Sequence, residues 1–104
     1  MKEKIINAVR RYLKLRGWEV KDEELESNGV PVLVAEDEDS LVFCFIFDNI
    51  DERQPFDHGQ FAKLACEYLI YNNTGDKPLR ADRIGVQPIG TNQAFVQHVV
   101  GWSD

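Results

Sequence analysis

The sequence contains few of the residues that form disulfide bonds or structural metal sites. Its two cysteines, Cys44 and Cys66, have neither C-x-x-C spacing nor a neighbouring histidine, so we predict two buried free thiols and no structural zinc site. No glycine-rich phosphate-binding loop follows a predicted strand. The four adjacent carboxylates at 36–39 lack the spacing of a calcium-binding loop, and we expect a solvated connection there. The sequence therefore indicates no bound metal cofactor.

Long hydrophobic runs are also missing. No apolar stretch approaches the roughly 18 residues of a transmembrane helix, and the first residues lack the apolar core and cleavage site of a signal peptide. We therefore expect a cytoplasmic protein that does not enter a membrane. With 104 residues, of which 43% are hydrophobic and 29% charged, the composition is that of one folded domain over residues 1–104.

Positive charge is scarce overall but concentrated at the N-terminus. The net charge of −6 disfavours non-specific binding to nucleic acid, which depends on neutralising phosphates. Residues 1–16 nevertheless carry six basic residues against one acidic residue. A solvated helix face is the simpler interpretation. If this segment contacts nucleic acid or a protein partner, the candidate contact residues are Lys4, Arg10, Arg11 and Lys14. The sequence names no partner and leaves a homo-oligomer open.

The longest apolar run is Leu41–Phe47, with the sequence LVFCFIF. A continuous run of this length is typical of a strand buried on both faces, so we predict a central strand. Strand side chains alternate between the two faces, which places Phe43, Phe45 and Phe47 on one face and Cys44 on the other.

The remaining elements follow from helical periodicity and turn residues. Residues 3–16 and 60–71 have apolar positions at helical spacing, and Gly17 provides an end for the first helix. Residues 48–59 are expected to form a loop. The other predicted strands are 18–20, 30–35, a fourth around Ile84 and Val86 that is broken by Pro88 and Gly90, and a fifth at 94–102. The strand at 30–35 is expected to form an antiparallel hairpin with the central strand. The order α-β-β-β-α-β-β predicts an α/β domain with a mixed five-stranded sheet flanked by two main helices.

Several segments match the local sequence of a known family. VRRYL at 9–13 followed by GWEV at 17–20 is similar to A-x-x-Y-L-x-x-x-G-Y-x-I, and GVPVLVA at 29–35 stands where that family has G-E-I-D-L-I-A. LVFCFIF stands where it has L-V-F-V-E-V-K, while ACEYL at 65–69 and RADRIGV at 80–86 are similar to its A-x-x-Y-L and R-F-D-V-V-A-V. With these segments the chain resembles the YraN-like endonucleases of the PD-(D/E)XK, or restriction-endonuclease-like, superfamily. The resemblance implies a single restriction-endonuclease-like domain.

The resemblance covers the segments that build the fold but not the residues that carry out the nuclease reaction. In the family, the Asp of G-E-I-D and the Glu of E-V-K bind a divalent metal, and the Lys positions or activates the attacking water. The matching positions here are Val32, Phe45 and Phe47. Metal-assisted hydrolysis needs hard oxygen ligands, which these side chains lack. The resemblance therefore implies a non-catalytic binding or interaction module with a degenerate nuclease site and no metal.

A nuclease whose ligands have moved is the alternative. It would be a Mg-dependent DNA endonuclease, similar to a Holliday-junction resolvase, with carboxylates supplied from neighbouring elements. The candidate ligands are Glu36, Asp48, Asp57 and Glu67, with Lys63 in place of the lost lysine.

Two histidines and the last tryptophan complete the set of candidates. His58 and His98 have no predicted nucleophile beside them, so a structural or surface position is the favoured interpretation. Trp102 is expected either to complete the core or to lie at a contact surface.

Overall fold

The computed structural model describes residues 2–50, 55–73 and 75–102. Within these residues the chain forms two helices and five strands, in the predicted order. The elements are α1 (Lys2–Leu15), β1 (Glu19–Ser27), β2 (Val30–Glu36), β3 (Leu41–Phe47), α2 (His58–Tyr71), β4 (Leu79–Ile89) and β5 (Gln93–Val99).

The strands form one mixed sheet in the order β1-β2-β3-β4-β5. The first three strands are antiparallel neighbours, β3 and β4 are parallel, and β5 returns antiparallel to β4. A parallel pair needs a crossover connection, and α2 is that connection. The prediction of β3 as the central strand and of its hairpin with β2 is therefore confirmed.

The two helices cover opposite faces of the sheet, as two separate hydrophobic clusters show. On the α1 face, residues of α1 including Val9 and Leu13 pack with Cys44 of β3. On the α2 face, Leu64 and Tyr68 pack with every second residue of β3, including Phe43 and Phe45. The predicted alternation along Leu41–Phe47 is thus confirmed, and both faces of β3 are buried.

Local contacts determine where the helices begin and end. After α1, the amide of Gly17 donates to the Lys14 carbonyl at 2.9 Å, and Gly17 adopts φ +85°, which favours glycine. Helix α2 begins at His58, two residues earlier than predicted, because Asp57 caps it and accepts from the Gln60 amide at 3.0 Å. In the described residues, neither helix is long and apolar enough to cross a membrane.

Strand β1 extends far beyond the predicted residues 18–20. Its many charged residues give this segment a weak strand propensity, but pairing with β2 overrides that propensity. The pairing runs from Glu19 opposite Glu36 to Ser27 opposite Val30. Lys21 supports the pairing, since its Nζ lies 2.7 Å from Glu19 and 3.0 Å from Glu36.

Strands β4 and β5 also differ from the prediction. Strand β4 continues through Pro88. Beyond Gly85 it pairs only with β5, so the backbone N–H that Pro88 lacks is tolerated there. Strand β5 ends at Val99, three residues earlier than expected, and the chain turns there.

The two cysteines have different environments. Cys44 is buried under α1, and burial raises the pKa of its thiol. Cys66 is exposed on α2, so the prediction that both thiols are buried is wrong for this residue. It lies between Ala65, which faces the core, and the exposed Glu67, and the helix turns its side chain outward.

Candidate functional site

The three degenerate motif positions lie together on the α2 face. Val32 of β2 stands directly opposite Phe45 of β3, and both are buried. Phe47 lies two residues further along β3 on the same face and is half-buried. Burying one such Phe contributes about 1.5–3 kcal/mol to the stability of the fold through the transfer of apolar surface out of water. The apolar side chains at these positions therefore stabilise the core.

Trp102 joins these side chains into one aromatic cluster. Its ring meets Phe45, Phe47 and Phe56 edge-on, at centroid distances of 5.5, 5.8 and 5.1 Å. Such pairs contribute roughly 0.5–1.5 kcal/mol each beyond their burial. The backbone amide of Trp102 donates to the Ala81 carbonyl at 2.7 Å, which fixes the end of the described chain against β4. Trp102 therefore completes the core on this side of the sheet.

A cleft of about 560 Å³ opens beside this cluster. We call it the aromatic cleft; its apolar wall and its polar rim come from different elements. The wall consists of Val30, Phe45, Phe47, Pro55, Phe56 and Trp102, and the rim of Ser27, Asn28, Asp57, His58, Gly59 and Gln60. An apolar wall with a few polar groups at its edge is the usual composition of a binding site.

The start of α2 supplies most of the polar rim. Asp57 is exposed and keeps one oxygen on the Gln60 amide as the helix cap. The ring of the exposed His58 lies edge-on to Phe56, with a centroid distance of 4.6 Å. The aromatic cleft therefore has a carboxylate and an imidazole at its mouth.

A buried cation lies behind the wall. The guanidinium carbon of Arg83 stands 4.8 Å from the centre of the Phe47 ring, and its Nη2 donates to the Asn49 carbonyl at 3.2 Å. Burial lowers the pKa of Arg83, although a guanidinium stays charged at any physiological pH. Gly85 allows this arrangement, because an added Cβ would lie 3.0 Å from the Asn49 carbonyl oxygen.

The candidate ligands for a rearranged metal site do not converge. Asp57 lines the aromatic cleft, but Glu36 lies at the other end of β2, with its carboxylate 3.0 Å from Lys21 and 3.9 Å from Lys77. Asp48, Lys63 and Glu67 are exposed. Over the part of the chain that the structure describes, no three His, Cys, Asp or Glu side chains are placed to hold a metal ion.

The basic residues of α1 have two different roles. Arg10 donates to the carbonyls of Lys21 and Asp22 at 3.1 and 3.2 Å and to the Glu24 carboxylate at 3.3 Å. Its guanidinium therefore fastens α1 to β1. The other three predicted contact residues, Lys4, Arg11 and Lys14, are exposed.

The opposite face of the sheet contains a buried polar network that the sequence did not predict as a site. Asp82 of β4 is fully buried, and its carboxylate accepts from Arg80 at 2.8 and 2.9 Å and from the Gly101 amide at 2.9 Å. The Nε2 atom of His98 lies 2.7 Å from the same carboxylate.

The network extends to both sides of Asp82. A carboxylate only accepts, so His98 Nε2 donates to it, and the Nδ1 atom of the same ring is hydrogen-bonded to the Tyr12 hydroxyl at 2.9 Å. On the other side, Arg80 donates to Asp37 at 2.8 Å. We call these five residues the Asp82 network.

The negative charge of Asp82 is stabilised although its carboxylate is fully buried. Burial acts to raise the pKa of Asp82, but hydrogen bonds from His98, Arg80 and the Gly101 amide outweigh burial and hold the pKa below its ordinary value. The network therefore connects α1 through Tyr12 to β4 and β5. His98 is half-buried and structural, in agreement with the favoured interpretation.

Little in the sequence could have predicted the Asp82 network. Arg80 and Asp82 are two residues apart on one strand, which places both on the same face. Tyr12, however, is 86 residues from His98, and only the tertiary fold brings the two together. No model of a known protein family matches the chain, and curated proteins give no match either.

Proposed function

We propose that this chain is a restriction-endonuclease-like domain that serves as a binding module without nuclease chemistry. One observation carries the proposal: Val32, Phe45 and Phe47, which match the metal-binding and catalytic positions of the YraN-like family, belong to one packed apolar cluster. The strand order and the crossover by α2 are compatible with that fold.

The ligand that fits the aromatic cleft best is an apolar side chain from a basic segment of a protein partner. The wall offers aromatic surface for such an anchor. Asp57 at the rim and the net charge of −6 favour positively charged residues beside it. Nucleic acid is less suited to this site, because its phosphates would meet an acidic protein.

A titration with short peptides tests this assignment. The probe is a Lys-rich peptide with one central Trp, and the control is the same peptide with Glu in place of Lys. We expect amide shifts in the NMR spectrum around Phe47, His58 and Trp102 with the basic peptide, and weak or no shifts with the acidic one.

Two variants separate the cleft from the rest of the surface. Phe47→Ala removes part of the wall and should weaken binding of the basic peptide at least about tenfold, a loss of about 1.4 kcal/mol. Ile70→Ala changes an exposed apolar residue on α2 outside the cleft and should leave binding unchanged. Equal binding by both variants, or shifts that map away from the cleft, would contradict the proposal.

The alternative function is a metal-dependent nuclease with migrated ligands. One observation favours it, since Asp57 lines the same cleft as Phe45 and Phe47. That function predicts cleavage of branched DNA with Mg²⁺ or Mn²⁺, lost in Asp57→Asn and retained in Asp76→Asn, which changes an exposed carboxylate outside the cleft. Cleavage with this pattern would replace the binding proposal, whereas no cleavage together with no calorimetric Mn²⁺ binding would eliminate the nuclease.

A further inference from the structure

The two edges of the sheet are built differently. Strands β1 and β5 each pair with one neighbour only, so each presents a row of backbone donors and acceptors on its outer side. Natural proteins protect such edges with charges, prolines or bulges, because an unprotected edge pairs with another strand.

Strand β1 has this protection. Six of its nine residues are charged, and its register with β2 shifts between Val20 and Glu24. Arg10 also donates to the Lys21 and Asp22 carbonyls and so occupies acceptors on this strand. Another strand would have to displace these contacts.

Strand β5 lacks it. Its sequence, QAFVQHV, has no Asp, Glu, Lys, Arg or Pro, and it pairs with β4 in unbroken register from Val99 to Gln93. Val96 and His98 face α1, so Phe95 and Val99 face the other side, where they remain 61% and 38% exposed. In the described chain, β5 pairs with β4, and no further strand pairs with the outer side of β5.

We propose that β5 is a dimerisation edge, at which β5 of a second copy pairs antiparallel and joins the two sheets into one of ten strands. Such a contact is self-complementary, since a two-fold axis brings identical segments together. The strand has no Asp, Glu, Lys or Arg although the whole chain carries −6, so this edge lets two copies meet without carboxylates opposite each other.

Side-chain pairing favours one register. With the two-fold axis at Gln97, Phe95 of each copy stands opposite Val99 of the other, and both contacts lie on the same face. In this register Phe95 and Val99, the two most apolar exposed side chains of the strand, are covered in both copies. One strand pair is a small interface compared with the about 1,600 Å² of a standard complex, so we expect a reversible, concentration-dependent dimer. This inference does not depend on the ligand of the aromatic cleft.

Sedimentation equilibrium from micromolar to millimolar concentration tests the dimer. We expect the mass to rise from the 12.0 kDa monomer toward twice that value. Phe95→Lys places a charge on the edge and should raise the dimer Kd at least about tenfold. Ile70→Lys is the matched control, because Ile70 is 69% exposed on α2, and it should dimerise like the parent chain. Circular dichroism verifies that both variants fold.

Cysteine cross-linking tests the register in a Cys66→Ser background, which removes the exposed thiol. Gln97→Cys places two cysteines at the two-fold axis, within the roughly 4.5–5.5 Å Cα separation of opposed residues. Gln93→Cys places them far apart. We expect a disulfide-linked dimer from the first and little from the second. A chain that stays monomeric at millimolar concentration, or a dimer unaffected by Phe95→Lys, would overturn the proposal. Pairing of β5 with a strand of another protein would then be the alternative.

Discussion

The two faces of the central sheet stabilise the fold in different ways. On the α2 face, β3 meets aromatic and aliphatic side chains, with Phe43, Phe45 and Tyr68 among the buried residues. On the α1 face, a similar apolar cluster lies beside Asp82, a fully buried carboxylate. A buried charge needs several hydrogen bonds, and the Asp82 network supplies them.

This contrast places the buried carboxylate of the described chain on the α1 face, whereas the charged group buried on the α2 face is the guanidinium of Arg83. The α2 face has an apolar wall, and the buried carboxylate lies behind β4 under α1. Stability of the α2 face should therefore depend on packed volume, and stability of the α1 face on ionisation and hydrogen bonding.

The largest effect is expected from the apolar face. Phe45→Ala should lower the free energy of unfolding by about 3–5 kcal/mol, because it removes a buried ring and leaves a cavity beside Trp102. Urea denaturation measures the change, and Phe95→Ala serves as the control because that ring is mostly exposed. A loss below about 1 kcal/mol for Phe45→Ala would mean that the wall is not packed as described.

A slightly smaller effect is expected from the charged face. Asp82→Ala should cost about 2–4 kcal/mol, since it leaves Arg80 and His98 without their shared acceptor in a buried setting. Asp76→Ala, at an exposed carboxylate, should change stability by less than about 0.5 kcal/mol. Equal small losses for both variants would show that the network contributes nothing to the fold.

Acid should distinguish the faces without any change of volume. The pKa of Asp82 is lowered in the folded chain, so its contribution is present above the ordinary carboxyl pKa near 4 and is lost as the pH falls through the folded pKa. Asp37, whose pKa is also lowered, adds to the same trend.

Urea denaturation over a range from neutral pH to about pH 3 measures this dependence. In Asp82→Asn, stability should fall less steeply with acid than in the parent chain. Phe45→Leu should keep the parent slope, because no titrating group changes. An acid slope that is the same in Asp82→Asn as in the parent would refute the assignment of the effect to Asp82.

The apolar face was largely predictable from the sequence, for a physical reason. Leu41–Phe47 lies between charged residues, so its composition set both its bounds and its burial, and strand alternation placed Phe45 and Phe47 together. The cleft was not predictable, because Phe56 and Trp102 come from irregular segments whose positions depend on the whole fold.

The charged face was hidden for the same kind of reason. The many charged residues of β1 are typical of a loop, and the strand becomes evident only from its pairing with β2. Local sequence gives no indication that Tyr12 meets His98, since that contact requires the complete sheet with α1 docked on it. Patterns of period two or 3.6 predict which side chains are buried, and they leave long-range polar pairing undetermined.

The smallest effect should come from the outer end of the Asp82 network. Tyr12→Phe removes the hydroxyl that is hydrogen-bonded to His98 and keeps the ring, so it should cost about 1 kcal/mol, the net value of one hydrogen bond. If the two substitutions are coupled through His98, the double variant Tyr12→Phe with Asp82→Asn should lose less than the sum of the single losses. Strict additivity would mean that the hydroxyl and the carboxylate act independently, and the face would then be a set of separate contacts and not a network.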